Sequence, residues 1–232
     1  MWPLDDITVY STGMEIKDTP FDWEFRKTVN FVSDYYHNSL EGYKPPKTGR
    51  ICIQINKDSV SQEPSYFGAI CTLYTTMDEE LYLRLSKVGQ YRYLLDLIHH
   101  TVMEAADKLG WDKSVFESAY QTVLGSDFVF EKRYKGKKSR DRKSTGVAIL
   151  AKTECRATLK VGVATGDSTR EAVLFDKKNW WWGDSSYEIA AKCKWIDQDS
   201  FGYESKSTNK FAYYSVTEDK VKTNMHFEGS VF

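Results

Sequence analysis

The stretch YRYLLDLIHHTVMEAADKLGW, residues 91–111, decides how the rest of the chain is read. Tyr91, Leu95, Ile98, Val102, Ala105 and Leu109 recur at the spacing of one helical face. Gly110 follows, where a left-handed C-cap residue belongs. This is a core-forming helix set among segments that read mostly as strands. The combination predicts an α+β protein: a mainly antiparallel sheet with two central helices packed on it and a strand-rich C-terminal half.

Working outward, the second of those helices follows at once. Ser114 and Glu117 stand in capping-box relation, and Phe116, Ala119, Tyr120, Val123 and Leu124 form its stripe, closed by Gly125. Upstream, DITVYS (6–11) and ICIQIN (51–56) alternate as strands. Between them, residues 22–39 fit two periods. Phe25, Val29, Val32 and Tyr36 make a helix capped by Asp22, while Trp23, Phe25, Val29 and Phe31 fall on alternate positions. Helix is the preferred reading. LEGYKPPKTG (40–49) is a Pro/Gly loop, and KDSVSQEP (57–64) is a polar one. SYFGAICTLYT (65–75), the acidic turn Asp78-Glu79-Glu80 and LYLRLS (81–86), with Leu81, Leu83 and Leu85 on one side, read as a hairpin.

Beyond Gly125 the expected strands are FVFEKRY (128–134), TGVAILAK (145–152), CRATLKVGVA (155–164), EAVLFD (171–176), YEIAAKCKWID (187–197), FGYES (201–205) and KFAYYSV (210–216). The links TGD and DQDS fit hairpin turns. Residues from about Glu218 read as less ordered. The composition shift near Gly125 allows two packed lobes, 1–125 and 126–232, but no linker separates them, so a single domain over 1–232 is the expectation.

Composition is that of a globular domain, 41% hydrophobic and 28% charged, with a high aromatic share of 15% that suits sheet packing first and a binding surface second. The net charge of −1 hides an uneven distribution: Lys132–Lys143 holds eight Lys/Arg and one Asp, a local +7, which leaves −8 on the remainder. No run approaches a membrane span, and the N-terminus lacks a basic and apolar leader. Cys52, Cys71, Cys155 and Cys193 are far apart with no CxxC, which speaks against zinc and a disulfide framework. A reducing cytoplasm is the simplest compartment.

Few residues ask for chemistry. His100 and Glu104, four apart on the strong helix, could share a metal or act as an acid/base pair, but the HExxH pattern is missing and His99 and His100 lie off the apolar stripe, so rim histidines are expected. GxSxG, GxxxxGK[ST] and GxGxxG are all absent, and GVATGDSTR (162–170) lacks the lysine and helix of a phosphate loop. No catalytic residue, cofactor or metal is therefore expected. Asp5-Asp6, Glu79-Glu80, Asp197 and Asp199 read as turn and solubility carboxylates. Two features remain. KRYKGKKSRDRK (132–143) reads as a cationic hairpin tip, either a solvated loop or a phosphate grip. Trp180-Trp181-Trp182 cannot all share one face of a strand, so at least one indole should reach the surface.

The helical stretch YLLDLIHHTVMEAADKLGWD (93–112), the AYQTVL helix after it and the late segment KCKWID (192–197) give the chain a general character that resembles the immunity proteins of bacterial toxin–immunity pairs. The resemblance implies a stoichiometric, non-catalytic inhibitor of a cognate protein toxin. Its contact groups are then expected at Trp180, Trp181 and Trp182, at Lys137, Lys138 and Arg140, and at Asp78, Glu79 and Glu80, with no membrane and no small-molecule substrate involved. The competing expectations are a nucleic-acid-binding protein or nucleic-acid-acting enzyme using 132–143, and an enzyme built around His100 and Glu104.

Overall fold

The computed structural model describes residues 4–57, 63–183 and 185–226; part of the 57–64 loop and the last six residues, for which expectations were drawn, lie outside them. The chain forms two compact units, residues 1–129 and 130–232. The class is α+β, and among the described residues no helix is long and apolar enough to cross a membrane.

The first unit runs β1 (Asp6–Tyr10), α1 (Pro20–Ser39), β2 (Arg50–Ile55), β3 (Ser65–Phe67), β4 (Ile70–Thr75), α2 (Glu79–Arg84), α3 (Lys87–Leu109) and α4 (Lys113–Gly125). The strand order is β1-β2-β4-β3. Here one expectation is corrected: β1, β2 and β4 are parallel, and only β3 runs against β4. The crossover through α1 gives β1 and β2 the long connection that parallel strands need, which a short turn could not supply. One face of each strand carries the buried set Ile7, Val9, Ile51, Ile53, Ile55, Cys71 and Leu73. Helix α1 packs on β1, α3 on β4, and α4 on both α1 and α3.

Helix α3 buries Leu94, Leu95, Ile98, Val102, Ala105 and Ala106. Ser86 caps it, its Oγ accepting from the Gly89 N–H at 3.2 Å. Gly110 ends it at φ +67°, a conformation that costs a side-chain-bearing residue about 1 kcal/mol. Three local expectations change. Helix α1 begins at Pro20, with Asp22 inside the first turn rather than at the cap. Helix α4 is capped by Asp112, whose carboxylate accepts from the Ser114 N–H at 3.0 Å, so the Ser114–Glu117 box is not formed. LYLRLS is α2 and not a strand. Asp78 caps it, and the buried residue is Tyr82, between the leucines whose alternation imitated a strand. The hairpin is instead internal to SYFGAICTLYT, turning at Gly68-Ala69.

The second unit holds β5 (Phe130–Arg133), β6 (Lys137–Lys138), β7 (Ser144–Lys152), β8 (Arg156–Thr165), β9 (Ser168–Lys178), a turn of 3-10 helix at Trp181–Gly183, α5 (Ser186–Lys192), β10 (Lys194–Trp195), β11 (Ser200–Ser205), β12 (Lys210–Ser215) and β13 (Lys220–Thr223). Its antiparallel sheets are β5-β7-β8-β9, with β6 also on β7, and β10-β11-β12-β13. Two expectations are corrected here. YEIAAKCKWID divides into α5 and the short β10, because Ile189 and Ala190 are adjacent and both buried, which a strand cannot do on one face. The segment after Glu218 pairs as β13. Ala148, Leu150, Leu159, Val161, Val163, Leu174 and Phe175 meet Ile189, Ala190, Phe201, Ala212 and Tyr214 in one core.

That core depends on a missing side chain. A Cβ at Gly146 would stand 2.3 Å from the Phe201 ring. Gly146→Ala is expected to destabilise the second unit by about 1–3 kcal/mol, the usual cost of overpacking, read as a lower denaturant midpoint at unchanged slope.

Candidate functional site

The acidic turn is built from the backbone outward. The Asp78 N–H donates to the Tyr93 hydroxyl at 2.8 Å while its carboxylate caps α2. Glu79 accepts from the Glu15 and Ile16 N–H groups at 2.9 and 3.1 Å, tying α2 to the turn after β1. Glu80 is exposed and pairs with Arg84 at 3.0 Å. Asp78 and Glu79 thus hold this surface together, and Asp78 and Glu80 are both exposed.

What the turn positions is apolar. Tyr82 of α2 is buried edge-on against Phe25 of α1, ring centroids 5.6 Å apart. Lys87 at the start of α3 reaches Thr28 Oγ1 at 3.0 Å. These ties bring three helical segments side by side, and each leaves large hydrophobic side chains outside. Phe21 (59% exposed) and Trp23 stand on α1, Leu81 and Leu83 on α2, Val88 on α3. At the β3–β4 hairpin tip of the same unit, Phe67 is 85% exposed. Exposed apolar side chains are what an interaction surface draws on. None of these side chains stood out in the sequence. The leucines were absorbed by the strand reading, and Phe67 lay inside a run that looked half-buried. The Phe-Gly pair before a sharp turn was the available signal.

In the second unit the three tryptophans separate. Trp181 is 6% exposed, Trp182 is half-buried and Trp180 is 39% exposed. Trp181 takes φ +53° and is fixed from both sides: its N–H donates to Asn179 Oδ1 at 2.9 Å, and its carbonyl accepts from Lys152 Nζ at 2.7 Å. The Lys152 ammonium also lies 3.9 Å from the Tyr187 ring centroid. Trp181 is therefore a framework residue and not a contact residue. Trp180 stands against it edge-on at 6.3 Å, with the Lys178 ammonium 4.2 Å over its indole. Buried charge and packing together hold one indole at the surface in a fixed pose.

The cationic hairpin is formed as expected, but its lysines differ. Lys137 is exposed too, but its ammonium donates to the carbonyls of Ala191 and Cys193 at 3.1 and 2.5 Å, satisfying the end of α5. Lys138 and Arg140 remain exposed. Burial pushes the Cys193 thiol up to about 12, so it stays protonated as a packing residue.

His100 and Glu104 pair with each other at 3.2 Å on an exposed helix face. The hollow beside Glu104, lined also by Tyr74, Thr101 and Lys108, has a volume of about 30 Å³, room for a water and not for a substrate. A second hollow of about 210 Å³, between Val163, Thr165, Ser168, Arg170 and Val216, is also smaller than ordinary ligand sites. His99 corrects its rim reading. It stacks on Tyr120 at 4.3 Å, meets the Tyr36 hydroxyl at 3.0 Å through Nδ1 and faces Glu117 at 3.3 Å through Nε2, joining α1, α3 and α4. Among the described residues no group of three His, Cys, Asp or Glu converges as a metal site.

No protein-family model, no curated protein and no solved structure matches the chain.

Two outcomes follow from this geometry. Trp181→Ala is expected to cost about 3–5 kcal/mol of stability, and Trp180→Ala no more than about 1 kcal/mol, both measured by denaturant unfolding. His99 has its pKa lowered, chiefly by desolvation and against the pull of Glu117. The unfolded chain therefore binds the proton more tightly. Stability is fully present above about pH 6.5 and falls as the pH drops through that value toward the lower folded pKa. His99→Gln should flatten that segment of the stability–pH curve.

Proposed function

We propose that this chain is a non-catalytic protein-binding module, an immunity protein that binds and neutralises a cognate bacterial toxin. The observation that carries the reading is the exposure of Phe21, Trp23, Leu81, Leu83 and Val88 on three helical segments that are themselves tied together by a buried ring contact and a hydrogen bond. Apolar side chains on a fixed frame suit a partner surface, since little conformational entropy is lost when they are covered. The flanking charges Glu80, Arg84, Glu24 and Lys27 are exposed or half-exposed and would form the polar rim. Trp180, held over a rigid loop, is an anchor of the same kind in the second unit.

The test is isolation of the protein from its host as a stoichiometric complex, followed by titration of the purified partner. Phe21→Ser with Leu83→Ser is expected to weaken the complex at least about 10-fold, the threshold of a hot-spot effect, while the circular dichroism of the variant stays unchanged. Host cells expressing the partner should survive only with the unaltered chain. A chain that stays alone at micromolar concentration, or a partner bound equally well by the double variant, defeats the assignment of this surface.

A further inference from the structure

We propose that the tip of the β6–β7 hairpin, residues 135–143, docks the phosphate backbone of a nucleic acid. The first argument is how the chain spends its charges. Several cations elsewhere are matched to carboxylates: Arg26 to Asp22, Arg50 to Asp6, Lys57 to Glu15, Lys108 to Glu63, Lys113 to Asp107, Arg156 to Asp176. At the tip, Lys135, Lys138, Arg140, Arg142 and Lys143 are all exposed, and no carboxylate of the described residues forms an ion pair with any of them.

The second argument is that the one acid in the segment, itself exposed, is engaged by the loop's own donors. Asp141 accepts from Ser139 Oγ at 2.7 Å and from the Lys143 N–H at 3.1 Å. Ser139 is buried; its Oγ accepts from the Ser144 N–H at 3.0 Å, and its carbonyl accepts from the Arg142 N–H at 2.9 Å. The turn is closed by its own hydrogen bonds, with Arg142 at φ +62°. Like charges are thus held close at the end of the sheet, where β6 and β8 both pair with β7, an arrangement that repels itself until an anion arrives.

The third argument concerns the kind of anion. The five cations have no exposed apolar side chain among them, only Gly136, Ser139 and Asp141. A protein interface needs an apolar centre and tends to exclude lysine. A phosphate backbone asks only for positive charge and donors, with the arginine forks matched to phosphate oxygens.

The experiment uses the whole chain and fluorescein-labelled oligonucleotides of about 20 residues, one duplex DNA and one single-stranded RNA, followed by anisotropy between about 50 and 200 mM salt. Binding to either at the low-salt end is expected. With five phosphates neutralised, affinity for the duplex should fall about 500-fold across that range. The triple variant Lys138→Gln, Arg140→Gln, Arg142→Gln leaves two contacts and should fall only about 12-fold. The three positions are exposed, so unfolding midpoints should agree; Lys137→Gln, by contrast, should lower the midpoint because its ammonium holds α5. No binding to either oligonucleotide at low salt overturns the proposal. So does binding whose salt dependence the triple variant leaves unchanged, which would place the anion elsewhere. Equal binding to poly-glutamate overturns it too, in favour of an acidic protein surface.

Discussion

The two-residue period of side-chain direction along a strand is the constraint on which both units depend. In the first unit it aligns Ile7 with Ile51 and Cys71, and Val9 with Ile53 and Leu73, in in-register rows across the parallel strands. All six are buried, so a slip of one residue would turn them away from this face and put Thr8 and Thr72 in their place. The helices have one surface to pack on because those rows exist. In the second unit the same period sets Lys152, Ala157 and Lys177 in one row, on the face that also carries Leu150 and Leu159. The small alanine separates two buried lysines. Burying an ammonium is costly unless it is paired or hydrogen-bonded, and the Trp181 carbonyl and Tyr187 ring supply part of that compensation for Lys152. The pose of the surface indole of Trp180 is thereby tied to strand register.

Much of this was legible in the sequence where a segment is long enough to repeat itself. The 23 residues of α3 run through six turns of one pattern, and β8 alternates from Arg156 to Val161. Helices α2 and α5, of 6 and 7 residues, complete fewer than two turns each, and such segments fit either period. What decides α2 is distant in sequence: Glu79 grips N–H groups of residues 15 and 16. Strand direction in the first unit was hidden for a related reason. It follows from the crossover through α1, and nothing local to β1 or β2 encodes it.

The site residues divide along the same line. Three tryptophans in succession announced that their environments must differ, since neighbouring residues point apart. Which one is exposed depended on Asn179 and Lys152, the second of them 29 residues from Trp181. Lys137 and Lys138 are indistinguishable by composition, yet one faces the strand surface that carries α5 and the other faces away. Their partners on β7, Gly146 and Thr145, lie on opposite faces of the sheet, so alternation separates a structural lysine from a free one.

The exposed apolar groups also bear on whether exposure is incidental. β3 is an edge strand with Phe67 at its end, the kind of feature that invites uncontrolled pairing with other chains. It is kept to three residues and follows Pro64, which has no N–H to offer. β13, at the edge of the other antiparallel set, carries Lys220 and Lys222. The fold thus limits backbone pairing at these edges while leaving large side chains outside the first unit. A surface selected only for solubility would lose the side chains first, because a polar residue at Phe21, Leu83 or Phe67 would remove apolar area from water at no cost to the core. Restricting the edges and retaining the side chains is what the proposed partner surface would require.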